Sequence, residues 1–300
     1  MHLRLEMRVL LLCVTLIGAA TAQEPKLATT PMLECSGLPC VDVILSGGQR
    51  LKMLVDTGNS TSMLDKTTAE KLGLPLKPAM GPDGKAYPGF SIATAENVKI
   101  GSIALGEIKF LVADLQPDIK KGTFPVSDGT VTYTVFHDRM LKLNYKERLI
   151  GVSEPMTTDV RCPGFCGTVS HPTFGKQGPP IVVTTGFNVN GKPVTVQIDT
   201  LYTGTMLIYP TSVEKLGLSA QQDAAKKRNF PFTDDGVDMI AGVAATESFG
   251  AAVLKHEAAL YFATPKVHLP DGMFDGTVGH ELFTGHVLTF DFRAHRFWMG

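Results

Sequence analysis

The feature that most constrains this chain is that its second half repeats its first. The segment Gly48-Gln-Arg-Leu-Lys-Met-Leu-Val-Asp56-Thr57-Gly58-Asn-Ser-Thr-Ser-Met63-Leu64 aligns without a gap on Gly191-Lys-Pro-Val-Thr-Val-Gln-Ile-Asp199-Thr200-Leu201-Tyr-Thr-Gly-Thr-Met206-Leu207. A few residues on, Glu70-Lys71-Leu72-Gly73-Leu74 matches Glu214-Lys215-Leu216-Gly217-Leu218, each closing a short helical pattern with a glycine. Near the end of each half, Asp128-Gly-Thr-Val131 recurs as Asp275-Gly-Thr-Val278. Each is followed by an alternation of a half-buried strand: Leu141, Leu143 and Tyr145, then Leu288, Phe290 and Phe292. Three matched blocks in one order define two lobes of like fold.

Between the blocks lie short runs rich in Val, Ile, Thr and Phe, punctuated by turns such as Gly47-Gly48, Pro82-Asp83-Gly84 and Asn190-Gly191. Helical pattern is confined to brief pieces around 65–73 and 210–216. The expected fold is therefore mainly β, a duplicated pair of lobes related by a pseudo-twofold axis. The expected boundaries are an N-terminal lobe over 33–154, a Gly- and Pro-rich connection with a cysteine pair over 155–180, and a C-terminal lobe over 181–300.

Composition sets the class of partner. An apolar fraction of 44% with 19% charged residues supports buried cores. A formal net charge of -1 removes any broad electrostatic case for nucleic acid or an anionic membrane. The basic run Lys226-Lys227-Arg228 is expected to be a solvated loop or helix end. Residues 1–22 read as an export leader: His2, Arg4 and Arg8 precede an apolar stretch from Val9 to Ala20, and Ala20-Thr21-Ala22 offers a cleavage site. The mature protein is thus expected to be secreted or periplasmic, with no membrane anchor once the leader is removed. Only about ten residues intervene before Cys35, so no activation by loss of a pro-segment is expected. Export turns Cys35, Cys40, Cys162 and Cys166 into disulfide candidates, either as two local bridges or as two bridges between the pairs. Zinc is the weaker reading, because no Cys-x-x-Cys or close histidine pair completes a tetrahedral set.

Asp56 follows Met53-Leu54-Val55, so a carboxylate stands where a buried strand breaks into a turn, and Asp199 stands likewise after Val196-Gln197-Ile198. One such Asp alone would be a turn cap. Two, on equivalent turns of related lobes, can meet at the interface, where like charges cannot both ionise easily. One proton is then shared, and one group can act as base while the other acts as acid. A water between them could be deprotonated as it attacks a peptide carbonyl.

On these residues the chain resembles the pepsin/retropepsin superfamily of aspartic peptidases in its two-lobed, bacterial-type form. The matching motifs are Leu54-Val55-Asp56-Thr57-Gly58, the degenerate Ile198-Asp199-Thr200, the Ala69-to-Leu74 segment and the Asp-Gly-Thr-Val strands, spread over most of residues 33–300. The resemblance implies two pepsin-like β-barrel lobes with a cleft between them. It implies Asp56 and Asp199 as catalytic dyad, supported by Gly58, with Thr57 and Thr200 bracing the loops by hydrogen bonds across the interface. It further implies a β-hairpin flap clamping an extended peptide or protein substrate, for which Tyr87 is a candidate, although an aromatic in a proline-containing turn is also ordinary packing.

The departures are specific. Leu201 replaces the usual glycine, so either backbone strain or a shifted loop is expected there. Asn59 and Tyr202 replace the usual hydroxyl residues, and loss of a donor to an ionised carboxylate predicts a raised pKa and a less acidic optimum than pepsin's. The alternative function is therefore a catalytically silent pepsin-like protein that binds a peptide or protein partner. A single-lobe homodimer is disfavoured, since each lobe finds its partner within the chain, and a monomer is expected. His280-Glu281 with His286 lacks the spacing of a helical metal motif and is expected on a strand, so neither metal nor cofactor is expected. Asn59-Ser60-Thr61 matches a glycosylation acceptor only by accident, because a glycan beside Asp56 would block the cleft. No Gly-x-Ser-x-Gly, free-cysteine nucleophile or phosphate-binding glycine loop stands out.

Overall fold

The computed structural model describes residues 26–81, 83–156, 160–173, 180–219, 227–230, 237–262 and 273–300; the leader read from residues 1–22 and Lys226 lie outside them. The first half runs β1 (Leu27–Pro31), β2 (Leu33–Cys35), β3 (Leu38–Ile44), β4 (Arg50–Asp56), β5 (Met63–Asp65), α1 (Lys66–Lys71), β6 (Lys77–Met80), β7 (Ala86–Ile100), β8 (Ile103–Ala113), α2 (Gln116–Lys121), β9 (Gly129–Thr132), a 3-10 turn at Tyr133–Phe136, β10 (Met140–Asn144) and β11 (Leu149–Ser153). The second runs β12 (Gly167–Ser170), β13 (Val183–Val189), β14 (Lys192–Asp199), β15 (Met206–Ile208), α3 (Pro210–Leu216), β16 (Lys227–Phe230), β17 (Val237–Phe249), β18 (Ala252–Phe262), β19 (Gly276–Gly279), α4 (His280–Phe283), β20 (Val287–Asp291) and β21 (Arg296–Met299). The protein is mainly β, with the helical pieces near 66–71 and 210–216 where the sequence pattern puts them.

The duplication is exact in topology. One lobe orders its strands β3-β4-β9-β5-β8-β7-β6, and the other orders them β13-β14-β19-β15-β18-β17-β16. The extra pairing β3–β7 is matched by β13–β17. In each lobe the Asp-bearing strand lies parallel to the Asp-Gly-Thr-Val strand, with Asp56 opposite Thr132 and Asp199 opposite Gly279. A parallel pair inside a sheet is covered on both faces, which is why Met53, Leu54 and Val55 form a continuous apolar run with each residue buried.

The repeated Asp-Gly explains itself in this frame. A Cβ on Gly129 would lie 2.1 Å from the Met63 carbonyl oxygen, and one on Gly276 would lie 2.1 Å from that of Leu207. Only glycine admits so close a backbone approach. The aspartates before them do matching structural work. Asp128 accepts from the Lys52 N–H at 2.8 Å and the Thr68 hydroxyl at 3.0 Å. Asp275 accepts from the Thr195 N–H at 2.8 Å and the Ser212 hydroxyl at 2.7 Å. Each carboxylate thus ties the start of its Asp-bearing strand to the short helix of its lobe.

The halves join through a common sheet, β1-β11-β10-β20-β21-β12. Its centre is the pairing of the two repeat copies with each other: β10 runs antiparallel to β20, with Leu141 opposite Phe290 and Leu143 opposite Leu288. These side chains are fully buried, and one apolar core runs through both halves. Strands β10 and β11 therefore serve both lobes, β12 within the cysteine-bearing connection completes the common sheet, and residues 27–31, upstream of the expected lobe boundary, form its edge.

The disulfides are local, Cys35–Cys40 and Cys162–Cys166. Two expectations are corrected. Lys227 and Arg228 do not lie in a loop or helix end but in β16, the outermost strand of its sheet among the described residues. His280 and Glu281 open a short helix rather than a strand; the His280 ring packs 5.2 Å from that of Tyr145, while Glu281 takes Lys255 at 3.0 Å.

Candidate active site

Asp56 and Asp199 end the two parallel-paired strands, and both chains then turn into loops that meet at the lobe interface. The meeting is reciprocal. Thr57 N–H donates to the Thr200 hydroxyl at 3.1 Å, and Thr200 N–H donates to the Thr57 hydroxyl at 3.2 Å. Each hydroxyl in turn donates across the interface to the carbonyl before the other aspartate: Thr57 Oγ1 to Ile198 O at 2.9 Å, Thr200 Oγ1 to Val55 O at 2.5 Å. Both threonines are completely buried, so these bonds form without water competing for them. The exchange relates the loops by a local twofold axis and holds both carboxylates at the interface.

Gly58 measures how closely they approach. A Cβ at that position would lie 2.5 Å from Asp199 Cγ and 2.8 Å from each Asp199 carboxylate oxygen. The glycine is required by contact, not by backbone conformation, because it does not take a positive φ. The same holds for Leu201, which corrects the expectation of strain there: its φ is ordinary, and its N–H still donates to Asp199 Oδ1 at 2.8 Å. Its side chain packs in a cluster with Leu38, Phe124, Leu54 and the Cys35–Cys40 bridge. Leucine is accommodated because the disulfide-pinned hairpin of β2 and β3 supplies an apolar wall.

The hydrogen bonds around the two carboxylates are unequal. Asp56 accepts three: Gly58 N–H at 2.8 Å and Asn59 N–H at 3.1 Å on Oδ1, and the Asn59 side-chain amide at 2.8 Å on Oδ2. Asn59 therefore supplies the donor expected to be missing. The Asn59 amide nitrogen, where a glycan would attach, is turned onto Asp56. Asp199 has two backbone donors, Leu201 and Tyr202 at 3.2 Å, both on Oδ1. The Tyr202 ring packs against Gly204 and Gly279, where a Cβ would lie 2.6 Å from its hydroxyl and 2.4 Å from its Cδ1 respectively.

Burial pushes Asp56 up from the ordinary carboxylate range against the pull of the Asn59 amide and the two N–H groups. Asp199 is pushed up to about 7, first by burial and then by the charge of Asp56, against its two N–H donors. With three donors stabilising its charged form, Asp56 ionises first and Asp199 keeps the proton. Neighbouring carboxylates with pKa values pushed apart in this way can divide the work, one accepting a proton while the other donates.

Gln197 is a residue that sequence reasoning missed. Its amide donates to the Gly58 carbonyl at 2.8 Å, and its carbonyl accepts from the Thr277 hydroxyl at 3.2 Å, which lies 3.1 Å from the Tyr209 hydroxyl. The signal was a lone amide between Val196 and Ile198 in an otherwise apolar strand, aligned with Leu54. A cavity of about 310 Å³ opens beside the dyad, lined by both aspartates with Leu38, Met63, Phe124 and Leu201. Tyr87 lies elsewhere: it is the second residue of β7, is 54% exposed, and lines a groove of about 860 Å³ that reaches Thr61.

Residues 41–129, which hold Asp56-Thr57-Gly58, match the family model described as aspartyl protease. That match spans under a third of the chain, within its first half. No curated protein sequence matches it significantly. Similar solved structures include conglutin gamma, a basic 7S globulin from lupine seeds, with a TM-score of 0.49 and 10% identity over 92% of this chain and 95% of that one. They also include the aspartic proteinase from Irpex lacteus, with a TM-score of 0.49 and 13% identity over 92% of this chain and 97% of that one.

Proposed function

We propose that this protein is an exported aspartic-type endopeptidase in which Asp56 and Asp199 act together on one water. Asp56, the better-solvated carboxylate in hydrogen-bond terms, takes a proton from the water as its oxygen attacks the peptide carbonyl carbon. Asp199 gives its proton to the carbonyl oxygen, leaving a tetrahedral diol. In collapse, Asp56 passes its proton to the departing amide nitrogen while a diol hydroxyl returns one to Asp199, so the pair ends with the single proton it began with. Thr57, Thr200 and Gln197 are positioning residues that fix the two loops.

The observation that carries the reading is the reciprocal Thr57–Thr200 bonding beside Gly58, whose close approach to Asp199 brings the two aspartate-bearing loops together at the interface. The ordinary φ at Leu201 and its retained bond to Asp199 favour a working dyad over a silent one. Export agrees with two disulfides, and among the described residues no helix is long and apolar enough to cross a membrane.

The test is cleavage of unfolded casein or haemoglobin from pH 3 to pH 8, with and without pepstatin, beside Asp56→Asn. Pepstatin-sensitive cleavage that the variant loses, and that declines above about pH 7 as Asp199 ionises, is the expected result. Tight pepstatin binding without any cleavage would instead establish a silent peptide-binding protein.

A further inference from the structure

We propose that Lys255 is a cation with two alternative partners, held by Glu281 while Glu247 carries a proton and drawn to Glu247 once that proton leaves, and that the exchange loosens α4 beneath the Asp199 loop. Glu247 is a buried acid that the peptide chemistry leaves unused. It lies in β17, directly opposite Lys255 of β18 on one side and Val189 of β13 on the other. Residues opposed in an antiparallel ladder put their side chains on one face of the sheet, so Glu247 and Lys255 are cross-strand neighbours. Yet the ammonium is bound elsewhere. Lys255 Nζ donates to Glu281 Oε1 at 3.0 Å, while neither oxygen of the fully buried Glu247 has a hydrogen-bond partner among the described residues.

The two arrangements differ by one proton. A carboxylate buried without a donor does not keep its charge, so with Lys255 on Glu281 the Glu247 side chain is the neutral acid. Burial pushes it up to about 8, the pull of Lys255 opposes this, and the charge of Glu281 adds to it. Once Glu247 ionises, leaving it unpaired costs far more than the Lys255–Glu281 pair contributes, because that pair is 36% and 53% exposed. The flexible stem of lysine lets the ammonium change partner while its strand stays in place. The charged and titratable groups that face Glu247 are Lys255 from β18, Glu281 from α4 and Tyr202 from the loop after β14, and Lys255 is the cation of this set.

The exchange reaches the dyad through α4. This helix starts where β19 ends, and Gly279, the last residue of β19, lies opposite Asp199. The His280 N–H donates to the Tyr202 carbonyl at 2.7 Å, and the Tyr202 N–H donates to Asp199 Oδ1 at 3.2 Å. Lys255 thus ties β18 to the helix on which the Asp199 loop rests. With Lys255 moved to Glu247, Glu281 loses its partner and that tie is gone. An acid outside the dyad then governs how firmly the Asp199 loop is held.

Backbone amide shifts of the intact mature protein, followed by NMR from pH 6 to pH 9, test the exchange. The parent is compared with Glu247→Gln and Lys255→Met, so that the titration of Asp199, common to all three, cancels. The expected result for the parent is a step near pH 8 at Glu247, at Lys255 and at residues 280–283 together. Glu247→Gln should lose the step at every one of these positions. Lys255→Met should keep it at residue 247, moved to higher pH by loss of the cation, and lose it at 280–283. A parent without a step at 280–283 would overturn the exchange, and that measurement needs no variant. A step at 280–283 that survives in either variant would also overturn it, since the signal would then bypass Glu247 or Lys255. None of these readings uses a substrate or inhibitor, so their failure leaves the proposed function standing, and failure of the cleavage test leaves the exchange standing.

Discussion

Replacing Asp199 by asparagine should stabilise the protein, and by an amount that depends on pH in a defined direction. In the fold Asp199 titrates at about 7 against an ordinary 3.8, first because it is buried and then because Asp56 is charged beside it. The folded pKa is the raised one, so as pH rises the unfolded chain gives up this proton first. Stability contributed by the protonated group is fully present below about pH 4 and is lost progressively up to about pH 7. The gap between 3.8 and about 7, at about 1.4 kcal/mol per pH unit, sets a ceiling of about 4 kcal/mol, and sharing of the proton with Asp56 brings the expected value to about 2–4 kcal/mol. Asparagine copies the shape of the protonated acid and cannot ionise. Asp199→Asn should therefore match the parent near pH 3.5 and exceed it by about 2–4 kcal/mol at pH 8, or roughly 5–15 °C in Tm. Urea and thermal unfolding of both proteins from pH 3.5 to pH 8 give the difference directly, with titrations elsewhere in the molecule cancelling. Parallel stability profiles, or a variant less stable at pH 8, would refute the claim that these carboxylates are buried together.

Removing the side-chain donor of Asn59 with Asn59→Ala should raise the pKa of Asp56 and move the acidic limb of the kcat/KM profile to higher pH, leaving the basic limb in place; a shift of the basic limb instead would reverse the assignment of base and acid. Gln197→Leu, which copies Leu54 of the first repeat, leaves the Gly58 carbonyl without its partner and should lower stability by about 1–3 kcal/mol with a larger fall in kcat than rise in KM, as read from unfolding and steady-state kinetics. Glu247 is fully buried, neither of its oxygens has a hydrogen-bond partner among the described residues, and burial pushes it up to about 8 against the pull of Lys255, which pairs with Glu281. Its raised pKa also makes it a stabilising group only while protonated, so Glu247→Gln should equal the parent below about pH 5 and be the more stable protein above about pH 8 in thermal melts.

The sequence by itself determined the duplication, the mainly β fold and the identity of the paired acidic turns, because these depend on local rules that repeat: buried apolar strands, turn residues and glycines where backbones touch. Met53-Leu54-Val55-Asp56 and Val196-Gln197-Ile198-Asp199 read as the same strand end on periodicity alone. Even the Asp-Gly-Thr-Val repeat was visible, although its reason, a carbonyl 2.1 Å from where a Cβ would stand, was not. What only the tertiary structure decided is everything that joins residues far apart in the chain. Leu201 looked strained until the Cys35–Cys40 hairpin and Phe124 came to lie against it. Asn59 looked like a lost hydroxyl until its amide turned back onto Asp56, and Gln197 looked like an oddity in an apolar strand until Gly58 of the other lobe met it. The reason is physical: a local pattern fixes which face of a strand is buried, but a hydrogen bond or a pKa depends on the particular groups that folding brings within a few ångströms.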